Sequence, residues 1–106
     1  MIPVVKSLLV DHQPESGETV TDIATGPSFQ LEHIVSHGMS SPTGFWYDQD
    51  RPEWVVLMQG HSVLEFEEES LELKAGDSLL IPARMRHRVA SASADAIWVA
   101  LHFDKE

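Results

Sequence analysis

Residues 76–91 read Gly76-Asp77-Ser78-Leu79-Leu80-Ile81-Pro82-Ala83-Arg84-Met85-Arg86-His87-Arg88-Val89-Ala90-Ser91. Gly76-Asp77 is a turn pair, Ser78 to Ile81 is a short apolar strand, and Pro82 ends it because proline cannot donate to a ladder. Arg88 to Ser91 then resumes as a second strand. The stretch is therefore turn, strand, turn, strand, with His87 at the entry to the second strand. Its basic neighbours favour the neutral form of the imidazole by charge repulsion.

The same grammar extends in both directions. From Phe29 onward, short runs rich in β-branched and aromatic residues alternate with Gly, Pro and acidic clusters at intervals of roughly eight to twelve residues, the spacing of a sandwich or barrel. Strands are expected at Phe29 to Val35, Glu53 to Gln59, Val63 to Phe66, Leu71 to Leu73 and Ala96 to Phe103, besides the two above. No segment carries a convincing helical period. The run from Glu65 to Glu72 holds 5 of the 17 acids, but Leu64, Phe66, Leu71 and Leu73 fit period two on either side of a turn. It reads as a solvated hairpin tip. Upstream, Val4 to Val10 is an apolar stretch suited to an edge strand or arm, and Gln13 to Glu18 a polar surface loop. The organisation expected is one domain, with residues 1–28 as an N-terminal strand or arm and loop, and 29–106 as the barrel.

Composition narrows the function. The 106 residues carry 17 Asp and Glu against 7 Lys and Arg, a formal charge of −10. Such a balance repels phosphate backbones and anionic lipid, so neither nucleic acid nor membrane is an expected partner. No cysteine occurs, which removes thiolate zinc sites and cysteine nucleophiles, and any metal must rest on His, Asp or Glu. The longest apolar runs fall far short of the ~20 residues that span a bilayer, and no signal-peptide pattern opens the chain. A cytoplasmic protein is expected.

The segment Gly44 to Ser91 resembles the two motifs of the cupin superfamily, small β-barrels that often hold a metal inside. In the second motif Gly76, Pro82 and His87 stand at the family's spacing. Arg84 replaces its second glycine, at a position where glycine takes φ > 0 more readily, and Ser91 replaces its asparagine. In the first motif Glu53 and Gly60 match, but the two histidine positions fall on Trp46 and Asp48 or, with the shorter spacing, on Tyr47 and Gln49. The runs Phe45-Trp46-Tyr47-Asp48-Gln49, Glu53-Trp54-Val55-Val56-Leu57 and Arg86-His87-Arg88-Val89 are also similar to a group of small single-domain cupins. The resemblance implies an all-β fold, the cupin-type double-stranded β-helix or jelly roll, with a site inside it.

Within that frame His87, Glu53 and Asp48 are the candidate metal ligands. One imidazole with two carboxylates suits Zn²⁺, Mn²⁺, Fe²⁺ or Ni²⁺ with positions open to water or substrate. Glu53 shares its strand face with Val55 and Leu57, so it points toward the core; alternatively it sits at the barrel mouth, paired with Arg51 or Arg84. Trp46 and Tyr47 suggest aromatic pocket walls. His33 and His102 each share parity with apolar neighbours and are candidates to complete the site. The Arg84, Arg86 and Arg88 cluster makes the site locally less acidic than the whole, which would admit a small anionic ligand. Two functions follow: a metal-assisted enzyme acting on a small oxygenated molecule such as an organic acid or sugar derivative, or a non-catalytic module that binds or senses a small ligand. A barrel that has lost its metal site is a third. Strands apolar on both faces, at Glu53 to Met58 and Ile97 to Phe103, call for a cover, most simply a second copy in a homodimer.

Overall fold

The computed structural model describes residues 2–10 and 17–104. Eight strands follow one another: β1 (Glu18–Gly26), β2 (Phe29–Ser36), β3 (Glu53–Gln59), β4 (His61–Phe66), β5 (Ser70–Lys74), β6 (Ser78–Ile81), β7 (His87–Ala92) and β8 (Ile97–Phe103). They form two antiparallel sheets, β1-β2-β8-β3-β6 and β5-β4-β7, and there is no helix among the described residues. The all-β jelly roll expected from the sequence is the fold.

The chain changes sheet at glycine turns. Gly60 links β3 to β4 at φ +85°, and a Cβ there would run into the Ser93 side chain and the Ala96 backbone. No other residue satisfies both demands. Gly76-Asp77 carries β5 of the small sheet into β6 of the large one. There the Gly76 N–H donates to the Leu57 carbonyl at 2.7 Å, and the Leu57 N–H donates to the Asp77 carbonyl at 2.9 Å. The turn after Pro82 is the one where Arg84 stands in for glycine. Its φ is +68°, so the left-handed conformation persists although the residue is not glycine. The acidic hairpin is also present, closed by the Phe66 N–H on the Glu69 carbonyl at 2.8 Å.

The core lies between the sheets and is built from Val55, Leu57, Leu64, Ile81, Trp98 and Ala100, with Leu57 fully buried. Strict parity produces it. Register pairs Val55 with Ala100 and Leu57 with Trp98, so one face of β3 and β8 fills the interior while Trp54 and Leu101 face the other way.

The N-terminal region differs from its reading in one respect. Residues 2–10 form no strand and are largely exposed, whereas the edge strand is β1, paired along its length with β2. A polar, β-branched sequence at a sheet edge is stabilised by its ladder and not by burial, so no apolar period announced it. The polar loop expected after Val10 falls largely on residues 11–16, outside the described residues. No helix of the described residues is long and apolar enough to cross a membrane.

Candidate functional site

The loop between β2 and β3 is stitched to β7. Ser41 donates its N–H to the Val89 carbonyl at 2.8 Å, and its hydroxyl accepts the Val89 N–H at 3.0 Å. Tyr47 and His87 exchange two backbone bonds, and the Arg84 N–H reaches the Gln49 carbonyl at 2.7 Å. The loop thus runs as a strand-like lip, and its side chains alternate as a strand's do. Tyr47 and Gln49 line the space between the sheets. Trp46 and Asp48 do not: Trp46 lies beneath the Arg86 guanidinium at 5.4 Å, and Asp48 pairs with Arg84 at 3.5 Å. The shorter spacing of the first motif is therefore the one whose residues face inward.

That space is a cavity of about 160 Å³. Val20, Ile34, Val55, Leu64, Ile81 and Trp98 supply apolar walls; Glu18, Glu32, Glu53, His87, His102, Tyr47 and Gln49 supply the polar groups. His102 joins it because β8 pairs His102 with Glu53 and Gln30 on the inner face. His33 has the opposite parity to Glu32 and Ile34. It donates from Nε2 to the Leu8 carbonyl at 2.8 Å, holding the N-terminal arm to the outer face. Glu18 and Glu32 were not singled out from the sequence; Glu32 was legible only through the parity it shares with Ile34, and Glu18 lay in a segment read as loop.

At the centre stand His87 and Glu53. His87 is 5% exposed, and its ring lies between Tyr47, stacked at 5.3 Å, and Phe66 at 6.0 Å. Nδ1 donates to the Met85 carbonyl at 3.0 Å, because a carbonyl can only accept. That fixes the tautomer of the neutral ring and leaves the Nε2 lone pair directed at the cavity. The nearest acid is Glu53, whose Oε1 is 3.8 Å from Nε2, beyond hydrogen-bond reach. Glu53 is 8% exposed and opens β3 as the spacing predicted. Burial pushes its carboxyl above the ordinary value; His102 and His87 oppose the rise and Glu32 adds to it. Burial likewise raises Glu18 and the Tyr47 phenol, each reinforced by neighbouring carboxylates. Neither arginine proposed as a partner reaches Glu53: Arg51 is paired with Asp104 at 2.9 Å and Arg84 with Asp48.

The basic cluster also lies outside. Arg84, Arg86 and Arg88 are paired with Asp48, Glu67 and Glu65 respectively, and no Arg or Lys lines the cavity. The expectation of a locally less acidic site is thus reversed, since three carboxylates face one another across two imidazoles.

A divalent ion of the kind the resemblance implies needs several imidazole or carboxylate groups converging on one point. Two inward positions of the first motif carry a phenol held protonated and an amide. Asp48 is turned out to Arg84, and His102 is bonded through Nε2 to Glu32 at 2.9 Å. Among the described residues no group of three His, Asp or Glu side chains has the arrangement to hold a metal. The residues present do not fit a divalent cation.

Residues 31–102 match the family model of the cupin domain. Among solved structures, the chain is similar to a Ralstonia eutropha JMP134 protein described as a "putative mannose-6-phosphate isomerase", with 32% identity, a TM-score of 0.91, and 97% of this chain and 100% of that one covered. KdgF from Halomonas sp. gives 20% identity and a TM-score of 0.72, covering 92% and 90% of the two chains. A cupin superfamily protein from Desulfitobacterium hafniense DCB-2 gives 16% identity and a TM-score of 0.80, covering 98% and 95%. At these last two identities the likeness concerns the fold alone. No curated protein matches the chain. A match running from the second strand to the last, on a jelly roll built in this way, makes the chain a member of the cupin family.

Proposed function

We propose that this chain binds a small organic molecule inside its barrel without a divalent metal, and that Glu53 and His87 exchange protons with it. The observation that carries this reading is the facing pair itself: an Nε2 lone pair and a buried carboxylate, 3.8 Å apart across a cavity, with no hydrogen bond between them. A carboxyl raised by burial beside an imidazole of fixed tautomer is the arrangement that general acid–base chemistry uses. Tyr47 contributes a neutral phenol that orients by hydrogen bonding, and the apolar walls hold the guest's hydrocarbon part. The phosphorylated sugar named for the Ralstonia protein is not carried over, because no cation lines the cavity to hold a phosphate. The decisive experiment combines metal analysis with a fragment screen followed by NMR on the His87 and Trp98 side chains. After supplementation with Zn²⁺, Mn²⁺, Fe²⁺ or Ni²⁺ and dialysis, less than a tenth of an equivalent is expected, with neutral fragments among those that move both resonances. Gln49→Trp, which fills the mouth, is expected to abolish those shifts. A stoichiometric metal removed by His87→Ala, or no fragment that moves the resonances, would overturn the reading.

A second reading concerns assembly. Trp54, Met58 and Leu80 are exposed on the outer face of the large sheet, Leu80 at 58%, and register places Trp54 beside Leu80 and Leu101. Such a contiguous apolar face is what a homodimer buries. Light scattering is expected to give twice the chain mass, and Trp54→Glu to give the monomer.

A further inference from the structure

We infer that the molecule bound in the cavity is a small amine in its ammonium form, held by Glu53 and His87 with an aromatic or alkyl body against Tyr47 and Trp98. The inference rests on the pocket reading above and adds the chemical class of its ligand.

Hydrogen-bond accounting comes first. Glu32 is satisfied, by His102 at 2.9 Å and by Gln30 at 3.1 Å. Glu53 is not: among the described residues no side chain donates to its carboxylate, although the residue is 8% exposed. The His87 side chain is 7% exposed, and its Nε2 is also without a hydrogen bond, Nδ1–H being directed to Met85. Two acceptors thus face one gap across which neither receives a hydrogen bond from a described side chain, so a guest that brings a donor there satisfies both. A carboxylate or phosphate offers no donor there, a hydroxyl offers one, and an ammonium offers three.

Charge then separates the hydroxyl from the ammonium. Glu18, Glu32 and Glu53 line the cavity with the imidazoles of His87 and His102, and no Lys or Arg enters. A guest bearing one positive charge reduces the repulsion among these carboxylates. Tyr47 and Trp98 also line the cavity, and aromatic side chains attract cations. Size sets the rest. A volume of about 160 Å³ is on the scale of the ~150 Å³ apolar cavity that takes benzene, so the guest has about six to ten heavy atoms.

The test uses three compounds of one shape, benzylamine, benzyl alcohol and benzoate, titrated at pH 7 with EDTA present and followed by the His87 and Trp98 resonances. Benzylamine is expected to bind at least tenfold more tightly than benzyl alcohol, and benzoate not to bind. Glu53→Gln is expected to bring amine and alcohol within about threefold of each other, and Glu18→Gln, which tests the same charge should Glu53→Gln not fold, to reduce the preference severalfold. Glu68→Gln with Glu72→Gln, exposed on the hairpin and outside the cavity lining, is expected to leave it unchanged, which separates the cavity from the general attraction of an acidic protein. If the alcohol or benzoate binds as tightly as the amine, the ammonium assignment falls and the pocket stands. If none of the three moves either resonance while the neutral fragments do, the ammonium assignment again falls alone. If nothing moves them, both fall.

Discussion

Tyr47 and His87 are joined twice through their backbones, at 2.7 and 3.1 Å, and their rings stack at 5.3 Å. The phenol therefore occupies a position from which, in the resembling motif, a histidine would face His87 and Glu53. The consequence is a reversible chemistry: Tyr47→His with Gln49→His is expected to bind one equivalent of Zn²⁺ or Ni²⁺, measured by calorimetry, while neither the parent chain nor His87→Ala on the double variant does. If the double variant folds yet binds no metal, the inward assignment of these two positions is wrong.

Glu53 sets a pH dependence. Its folded-state pKa is raised by burial above the 4.5 of a free glutamate, so between those two values the folded state holds more protons than the unfolded one. Stability from this group therefore declines as pH rises from 4.5 and levels off above the folded value. Glu18 acts in the same direction. Urea midpoints between pH 4.5 and 8 are expected to show Glu53→Gln gaining on the parent as pH rises. A difference that stays constant or shrinks would contradict the burial of this carboxyl.

Gly60 combines a left-handed φ of +85° with contact on the β7–β8 turn. Gly60→Ala is expected to cost about 3 kcal/mol, from backbone strain and overpacking together. Thermal melts measure it, and a loss below about 1 kcal/mol would mean that the Ser93 to Ala96 turn yields freely.

Arg84 is the converse case, a side chain at φ +68°. Left-handed geometry costs an L-residue roughly 1–2 kcal/mol. Glycine relieves this, at the expense of some unfolded-state entropy and an exposed ion pair of little worth. Arg84→Gly is expected to be neutral or stabilising by up to about 1 kcal/mol, whereas Arg84→Val is expected to destabilise.

How much the sequence disclosed depends on whether a signal was local. Gly76, Pro82 and His87 were legible because turn chemistry and period two act over a few residues, and Glu53 because Val55 and Leu57 share its face. The first motif was not, since which of Tyr47 or Asp48 points inward depends on hydrogen bonds to β7, about forty residues away. The choice between His33 and His102 had the same character: His33 shares the more apolar parity of β2 with Phe29, Leu31 and Val35, yet that face is the outer one, and the pairing with β3 is what sets His102 beside Glu53. Arg84, Arg86 and Arg88 misled for a related reason. They are near His87 along the chain, but their side chains pair with acids on the loop and on the hairpin, outside the cavity.

The pairing of β2 with β8 sets Phe29 beside Phe103 and Glu32 beside Ala100, so the cavity's walls come from the two ends of the barrel segment. Glu32 and His102, bonded to each other across the cavity, lie 70 residues apart along the chain. Closing so long a loop before any contact rewards it makes folding slow, in the millisecond-to-second range of all-β domains. Because a ribosome shelters the most recently made residues, the nascent chain displays β2 and β3 with their apolar faces uncovered until β8 emerges. The binding site is then among the last parts of the barrel to close, assembled only once β8 has emerged and paired with β2 and β3.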